Sequence, residues 1–381
     1  MSVTPSWDIF CNVIDNYGDI GVSWRLARQL CAEHGLHVRL WVDDLPSLQK
    51  LCPEINPGLP SQCAEGVQIR HWYKPFSDEQ PADVVIEAFG CVLPECYVEL
   101  MAESEHKPVW INLEYLTAED WVTGCHGVPS PHPRLPLVKY FFFPGFVAGA
   151  GGLLLEKGLM REAKHFRRIA AENPGFWAEW GLPEPKSGEL RVSLFGYENK
   201  AVADLFDAWS QAEFPVCCLV PEGRILEDVS AYFARADLLP GTLLSKGALD
   251  VWVIPFVEQT RYDQLLWACD CNFVRGEDSF VRAQWAAKPF IWHIYPQDEE
   301  THFKKLAAFL DIYCADLPSE IAHDVRQFWE AWNRQGAVGM VWNQFWKHRA
   351  VLDAHAAGWA KQLAQKGDLA SNLVQFCKNK L

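Results

Sequence analysis

The chain has 381 residues, 49% of them hydrophobic and 13% aromatic, which is enough for two packed cores and excludes a largely disordered protein. Lys and Arg number 34 against 49 Asp and Glu, a net charge of −15, and this acidic balance argues against non-specific nucleic-acid binding. The 13 cysteines include no Cys-x-x-Cys pair, so the usual spacings of zinc and thioredoxin-like redox sites are absent.

The first part of the chain alternates predicted strands and helices. Apolar runs predict strands at 7–14, 37–43, 67–72, 82–89 and 108–116. Apolar residues at helical spacing predict helices over 19–34 and 94–104. Strands and helices in turn are typical of a parallel sheet with helices on its faces.

The middle of the chain is less regular. Residues 117–160 carry several prolines and glycines, and a helix is predicted over 161–173. The stretch GLPEPKSGE, residues 181–189, combines Pro, Gly and Ser with charge and has few apolar residues, so it is the predicted linker.

After the linker the alternation begins again. Strands are predicted at 190–197, 214–221, 248–257, 269–276 and 288–296. Helices are predicted at 199–212, 261–268 and 277–287, and from about 298 the chain is predicted to be helix after helix.

This order predicts an α/β protein with two facing Rossmann-like domains and a helical C-terminal tail. We assign residues 1–180 to the first domain, 181–345 to the second and 346–381 to the tail. Ligands of such sheets bind beyond the C-terminal ends of the strands, so the site is expected between the domains. The architecture is typical of GT-B sugar-nucleotide glycosyltransferases, but epimerases and non-enzymatic binding proteins share it.

Neither export nor membrane insertion is predicted. The first ten residues, MSVTPSWDIF, lack the basic start and apolar run of a signal peptide. No run of about 18 or more apolar residues indicates a membrane span. With its free thiols, the chain is therefore expected to be a cytoplasmic protein.

The segment FVRGEDSFVRAQWAAKPFIW, residues 273–292, suggests an anion site. A strand ends near Val274, and a helix opens at Glu277, Asp278 and Ser279. Free N–H groups at a helix start bind anions, and Arg275 beside them offers a fork of donors to a diphosphate. Asp and Ser are also ordinary capping residues, so helix capping alone explains the same pattern.

Two other predicted strand ends carry aromatic or amide side chains. Phe195 and Tyr197 follow the first strand of the second domain, and Phe256 and Gln259 follow another. A tyrosine hydroxyl can bond a phosphate, a phenylalanine ring can stack on a base, and an amide can bond a base edge. Phe195 can equally be a core residue.

The stretch NVIDNYGDIGVSWRLA, residues 12–27, stands where many α/β proteins have a phosphate-binding loop, yet it carries two acids, Asp15 and Asp19. Asp19 can be a plain helix N-cap and Asp15 a turn residue. Alternatively, a carboxylate facing a bound electrophile is a general base or an anchor for a cation. The residues by themselves leave both interpretations open.

No Asp-x-Asp motif occurs, so a metal-chelated nucleotide sugar has no predicted ligand set. With NVIDNYGDIGVSWRLA, SLFGYEN and FVRGEDSFVRAQWA in this order, the chain resembles the bacterial protein-arginine rhamnosyltransferases that modify translation elongation factor P. The resemblance runs over nearly the whole chain. It implies an inverting, metal-independent transfer without a cofactor, from dTDP-β-L-rhamnose to one arginine side chain of elongation factor P.

The resemblance also implies residue roles. The acceptor protein would dock on the first domain, with Asp15 and Asp19 at the reacting nitrogen and Glu277 also needed. The second domain would hold the donor through Phe195, Tyr197, Phe256, Gln259, Arg275, Asp278 and Ser279. Because the pKa of arginine is above about 12, its nitrogen is a poor nucleophile. A carboxylate pair can bind the guanidinium and accept its proton, so we expect Asp19 to be the base and Asp15 its orienting partner.

Two alternatives remain from the residues. One is a nucleotide-sugar epimerase or a small-acceptor glycosyltransferase of the same fold, which would consume the nucleotide sugar without a protein acceptor. The other is a non-catalytic nucleotide-sugar sensor, which would bind without turnover and tolerate Asp15→Asn and Asp19→Asn.

Overall fold

The computed structural model describes residues 4–15, 17–73, 76, 79–173 and 175–381. They form two compact units, one of Met1–Lys157 with Leu363–Leu381 and one of Gly158–Gln362. These units divide the chain at other positions than the boundaries predicted after residues 180 and 345. None of the helices in the described ranges is long and apolar enough to cross a membrane.

The first unit contains an eight-stranded sheet. Its strands are β1 (Ser6–Cys11), β2 (His37–Val42), β3 (Ser61–Ala64), β4 (Val67–His71), β5 (Val84–Ala88), β6 (Val109–Leu113), β7 (Pro129–Pro131) and β8 (Val138–Phe142). The strand order is β3-β4-β2-β1-β5-β6-β8-β7, and only the edge strands β3 and β7 pair antiparallel among the described residues. The central strand β1 is therefore flanked by β2 and β5.

The second unit contains a six-stranded sheet. Its strands are β9 (Leu190–Leu194), β10 (Val216–Pro221), β11 (Leu243–Lys246), β12 (Leu249–Ile254), β13 (Cys271–Arg275) and β14 (Phe290–His293). The order is β11-β12-β10-β9-β13-β14, parallel except for the edge strand β11. Every residue of β9, β10 and β13 is buried, as expected for parallel strands covered on both faces.

Helices cover and extend these sheets. They are α1 (Gly18–His34), α2 (Leu45–Leu51), α3 (Glu95–Glu103), α4 (Leu159–Glu172), α5 (Val202–Ser210), α6 (Leu226–Phe233), α7 (Gln259–Ala268), α8 (Asp278–Ala286), α9 (Thr301–Tyr313), α10 (Ser319–Asn333), α11 (Gly339–Trp346), α12 (Arg349–Ala364) and α13 (Leu369–Lys378). Short 3₁₀ turns lie at Asp120–Gly124, Trp177–Trp180 and Asp298–Glu300. The α/β class and the helical C-terminus are as predicted.

The last two helices, which were predicted to form one C-terminal tail, pack in different units. The last helix, α13, packs in the first unit, where the Gln29 amide of α1 donates to its N-cap Asp368 at 3.1 Å. The preceding helix, α12, packs in the second unit, where the Trp359 indole N–H donates to the Gln284 amide oxygen at 2.6 Å.

Several predicted strands end earlier than expected, among them two that lead into candidate site residues. β1 ends at Cys11 instead of residue 14, because the N–H of Val13 turns away to the Asp43 carboxylate. β9 ends at Leu194 instead of residue 197. Asp15 after β1 and the aromatic residues after β9 therefore lie in loops at the C-terminal ends of parallel strands, and Asp19 lies in the first turn of the helix that follows β1.

Aromatic packing holds the strand that leads to Arg275. The Phe273 ring in β13 lies 4.9 Å from the Trp332 ring of α10 and 6.0 Å from the Trp209 ring of α5. Phe273 and both tryptophans are fully buried. The end of β13 is therefore supported by a close-packed core.

Candidate functional site

The first unit places its candidate residues in the loop after β1 and in the first turn of α1. Asp19 lies inside the helix, one residue after its start at Gly18, and Tyr17 occupies the N-cap position without a side-chain cap. One carboxylate oxygen of Asp19, Oδ2, accepts the backbone N–H groups of Ile14 and Asp15, each at 2.9 Å. The side chain therefore binds the preceding loop and does not cap the helix. Asn16 lies outside the described residues.

A third acid, Asp43, completes the arrangement. It follows β2, and its Oδ1 accepts the N–H of Val13 at 2.9 Å while its Oδ2 accepts the side-chain amide of Asn12. The backbone N–H groups of residues 13, 14 and 15 are thus all bound by carboxylates of the chain itself. These are the donors that a phosphate-binding loop would offer to its ligand. The anion-binding N–H groups of the loop are therefore already bound by the chain's own carboxylates, and the side chains around the loop are acids.

Asp15 lies closely against the start of α1. The N–H of Gly18 donates to the Asp15 carbonyl at 2.6 Å. A Cβ at Gly18 would stand 2.8 Å from the Asp15 carboxylate oxygen Oδ2, closer than real Cβ contacts allow. Only glycine at position 18 leaves the half-buried Asp15 side chain where it is.

The electrostatics of Asp19 suit a proton acceptor. Its side chain is only 3% exposed. Burial raises the pKa of Asp19, the two backbone hydrogen bonds counter this, and the charges of Asp15 and Asp43 raise it further. A carboxylate with a raised pKa is a stronger base than a solvated one, and the cluster of acids favours a cationic ligand.

In the second unit, the candidate residues gather around Arg275 at the end of β13. The guanidinium carbon of Arg275 lies 4.6 Å from the centre of the Phe195 ring and 4.7 Å from that of Tyr197. The side chain is buried, and among the described residues its Nη1 has no hydrogen-bond partner. A buried cationic donor without a partner is costly, so this geometry favours an anionic ligand.

His293 belongs to the same group, although the sequence did not single it out. It is the register partner of Arg275 on β14, and its ring lies 5.2 Å from the Tyr197 ring. Burial lowers the pKa of His293 to about 3, and the charge of Arg275 acts in the same direction, so the ring is neutral. Its Nδ1 is buried without a partner in the described part of the chain. His293 lies inside the predicted strand 288–296, and only the structure, in which β14 ends at His293, places it at a strand end.

The start of α8 is built around Ser279. Its hydroxyl accepts the N–H of Arg275 at 2.9 Å and donates to the Arg275 carbonyl. Gly276, with a φ of 60°, allows the turn between them. Glu277 occupies the N-cap position, and its side chain makes no capping hydrogen bond. Ser279 therefore holds the backbone of Arg275 and is not the N-cap of the helix.

Gln259 and Asp278 are also brought together. The Gln259 amide, at the start of α7, donates to the Asp278 carboxylate at 3.2 Å. A buried ion pair joins the same two helices, because Arg282 donates to both carboxylate oxygens of Asp263, at 2.9 and 2.7 Å. Phe256, three residues before Gln259, is half-buried, and its backbone N–H donates to the Glu222 carboxylate at 3.1 Å.

Within the described residues, one side-chain group has spacing suited to a metal, and it lies away from these residues on α10 and after α11. It consists of Glu320, Asp324 and His348. The ammonium of Lys347 lies 3.4 Å from each of the two carboxylates, so the group is already paired with a cation.

Comparison with known proteins gives one consistent family. Residues 7–378 match the family described as "Elongation-Factor P (EF-P) rhamnosyltransferase EarP". The protein-arginine rhamnosyltransferase of Pseudomonas aeruginosa is 48% identical over 371 residues, 97% of this chain and 98% of that protein. The one of Pseudomonas putida is 48% identical over 376 residues, 99% of each chain.

Solved structures agree. A structure described as the basis for EarP-mediated arginine glycosylation of translation elongation factor EF-P is 35% identical, with a TM-score of 0.71, covering 99% of this chain and all of that one. MurG of Acinetobacter baumannii, with a TM-score of 0.50, is 14% identical over 98% of this chain and all of its own. The MurG similarity shows the GT-B fold alone.

Proposed function

This chain belongs to the EarP family of elongation-factor P rhamnosyltransferases and is a protein-arginine rhamnosyltransferase, and on this premise we propose its donor, its acceptor and the course of transfer. The donor is dTDP-β-L-rhamnose, and the acceptor is one arginine side chain of translation elongation factor P. Transfer inverts the anomeric configuration and uses neither a metal ion nor a cofactor.

The observation that carries the donor proposal is the buried Nη1 of Arg275 without a partner in the described residues. A diphosphate supplies the missing acceptor, because its oxygens can accept a charge-assisted hydrogen bond from the guanidinium. Phe195 and Tyr197 flank the guanidinium and hold it in place. Gln259 and Phe256 are assigned to the nucleoside, and Asp278 to holding the Gln259 amide.

The acidic loop of the first unit is assigned to the arginine. In the transfer, a guanidinium nitrogen bonds to the anomeric carbon as the bond to dTDP breaks, and the nitrogen's proton passes to Asp19. Asp15 holds the guanidinium in a fixed orientation, which exposes one N–H bond to Asp19. Arg275 and the α8 start stabilise the charge that develops on the leaving diphosphate. Glu277, half-buried beside Arg275, accepts hydrogen bonds from the sugar.

The deciding experiment is the intact mass of elongation factor P after incubation with this protein and dTDP-rhamnose. We expect the gain of one deoxyhexose on a single arginine, with α-linked rhamnose by NMR and unchanged rates after treatment with EDTA. Consumption of dTDP-rhamnose without the acceptor protein would instead support an epimerase or a small-acceptor transferase. Loss of activity in EDTA that is restored by a divalent cation would contradict metal independence.

We place this reaction in the cytoplasm, where a translation factor is available as acceptor. In support, all thirteen cysteines are free thiols, as in proteins of reducing compartments. Cell fractionation followed by immunoblotting tests the location, and recovery in the periplasmic fraction would contradict it.

A further inference from the structure

Asp43 holds the start of the loop that carries Asp15 and leads into the helix that carries Asp19, the two candidate catalytic acids. Its two oxygens bind the side chain of Asn12 and the N–H of Val13, 30 residues away in the chain. The Asp19 carboxylate binds the next two N–H groups, those of Ile14 and Asp15. The course of the loop from 12 to 15 is therefore set jointly by the two carboxylates.

Asp43 is itself held by the sheet. It directly follows β2, whose last residue, Val42, is in register with Cys11 at the end of β1. The N–H of Trp72 donates to the Val42 carbonyl at 2.7 Å, and the His71 ring nitrogen Nε2 lies 3.2 Å from the Asp43 carbonyl. The Asp43 carboxylate thus anchors the loop to the end of β2.

We propose that Asp43 is a positioning residue for arginine transfer: it fixes the loop whose amides hold the Asp19 carboxylate, so that this carboxylate meets the reacting nitrogen in one orientation. The inference rests on the proposed function, since Asp19 is the base only in that reaction. A displacement of a catalytic group by about 1 Å costs on the order of a hundredfold in rate.

Asp43 also acts on Asp19 through its charge. Among the described residues, the titratable groups that act on Asp19 or are acted on by it are Asp15 in the loop, Asp43 after β2 and Cys11 at the end of β1. Burial raises the pKa of the Cys11 thiol, which is therefore uncharged at neutral pH. Removing the Asp43 charge is accordingly expected to lower the pKa of Asp19.

The test compares Asp43→Asn with Asp44→Asn. Asn at 43 places an NH₂ group against the Asn12 amide or the Val13 N–H, so donor faces donor. Asp44 is the neighbouring acid, but it caps α2 by accepting the N–H of Ser47 at 3.1 Å. Asp44→Asn therefore controls for loss of an acid and for a modest loss of stability.

For Asp43→Asn we expect kcat to fall about 10- to 100-fold, with the KM values for donor and acceptor nearly unchanged. Asp44→Asn should leave both kcat and the KM values unchanged. A raised KM for the acceptor with normal kcat, or equal effects of the two variants, would overturn the inference.

Hydrogen–deuterium exchange separates this inference from the proposed function. In the absence of any substrate, peptides covering residues 13–15 should exchange faster in Asp43→Asn than in wild type and in Asp44→Asn. Unchanged exchange would refute the positioning role even if the wild-type protein transfers rhamnose. If exchange is faster in Asp43→Asn but the wild-type protein does not modify elongation factor P, the proposed function alone is refuted.

Discussion

The carboxylate of Asp19 accepts the backbone N–H of Asp15 at 2.9 Å, so the side chain of one acid is held by the main chain of the other. The two acids are therefore not interchangeable. Asp19 is buried and fixed, as a base should be, whereas the half-buried Asp15 side chain is more accessible to a ligand. This asymmetry supports Asp19 as the base and Asp15 as the residue that orients the guanidinium.

Asp19→Asn should abolish transfer and leave dTDP binding intact. The amide oxygen of Asn can still accept the loop N–H groups, but it cannot take a proton, and loss of a general base costs about 10²- to 10⁴-fold. Single-turnover mass spectrometry measures the rate, and calorimetry with dTDP measures binding. If the variant no longer binds dTDP, Asp19 acts in donor recognition and the mechanism is wrong.

The same substitution should stabilise the protein at neutral pH. Because the folded state raises the pKa of Asp19, ionising it costs folding free energy. The protonated Asp19 carboxyl makes its full contribution to wild-type stability below the unfolded-state pKa. This contribution is lost as pH rises through the folded-state pKa. Urea unfolding between about pH 4 and pH 7 should therefore show the advantage of Asp19→Asn growing with pH. An advantage that shrinks with rising pH would contradict the raised pKa.

Gly18→Ala should impair transfer with little loss of stability. A methyl group at this position would stand 2.8 Å from the Asp15 carboxylate and displace it, while alanine is the better helix residue. We expect a higher KM for the acceptor and a free energy of unfolding close to that of wild type. The matched control is Gly358→Ala in α12, where a Cβ meets no atom within 4 Å. The free energy of unfolding of that variant should rise by about 0.5–1 kcal/mol, and it should keep full activity. Equal activity in both variants would argue against a role for the Asp15 side chain.

Arg275→Ala should weaken dTDP binding about 10- to 100-fold, the equivalent of one charge-assisted hydrogen bond. Arg275→Lys should recover only part of this loss, because a lysine keeps the charge but lacks the planar fork. Calorimetric titration with dTDP and with thymidine measures the effect. Thymidine lacks the diphosphate, so its affinity should be unaffected. An equal loss of affinity for both ligands would show that Arg275 contacts the nucleoside and not the phosphates.

The regular elements could largely be predicted because their signal is local. Buried parallel strands such as β9 and β13 are continuous apolar runs, and helices such as α1 and α8 show apolar residues at helical spacing. The parallel strand β8 lies in the irregular stretch 117–160 and was not predicted, and neither were the edge strands β3, β7 and β11. These edge strands are short and partly exposed, with no apolar run, and they form because a neighbouring strand offers its free edge.

The sequence by itself determined the α/β class and the family, and it singled out Asp15, Asp19 and Arg275 as candidate site residues, because local periodicity and contiguous motifs carry these signals. It did not reveal Asp43 or His293, which carry no motif. Only the tertiary structure decided that β2 lies beside β1 and β14 beside β13, which brings Asp43 to the acidic loop and His293 to Arg275. Sheet order joins residues that are distant in the chain, and no local pattern encodes that order. The tertiary structure likewise decided that an apparent phosphate loop has its amides filled by acids of the chain itself.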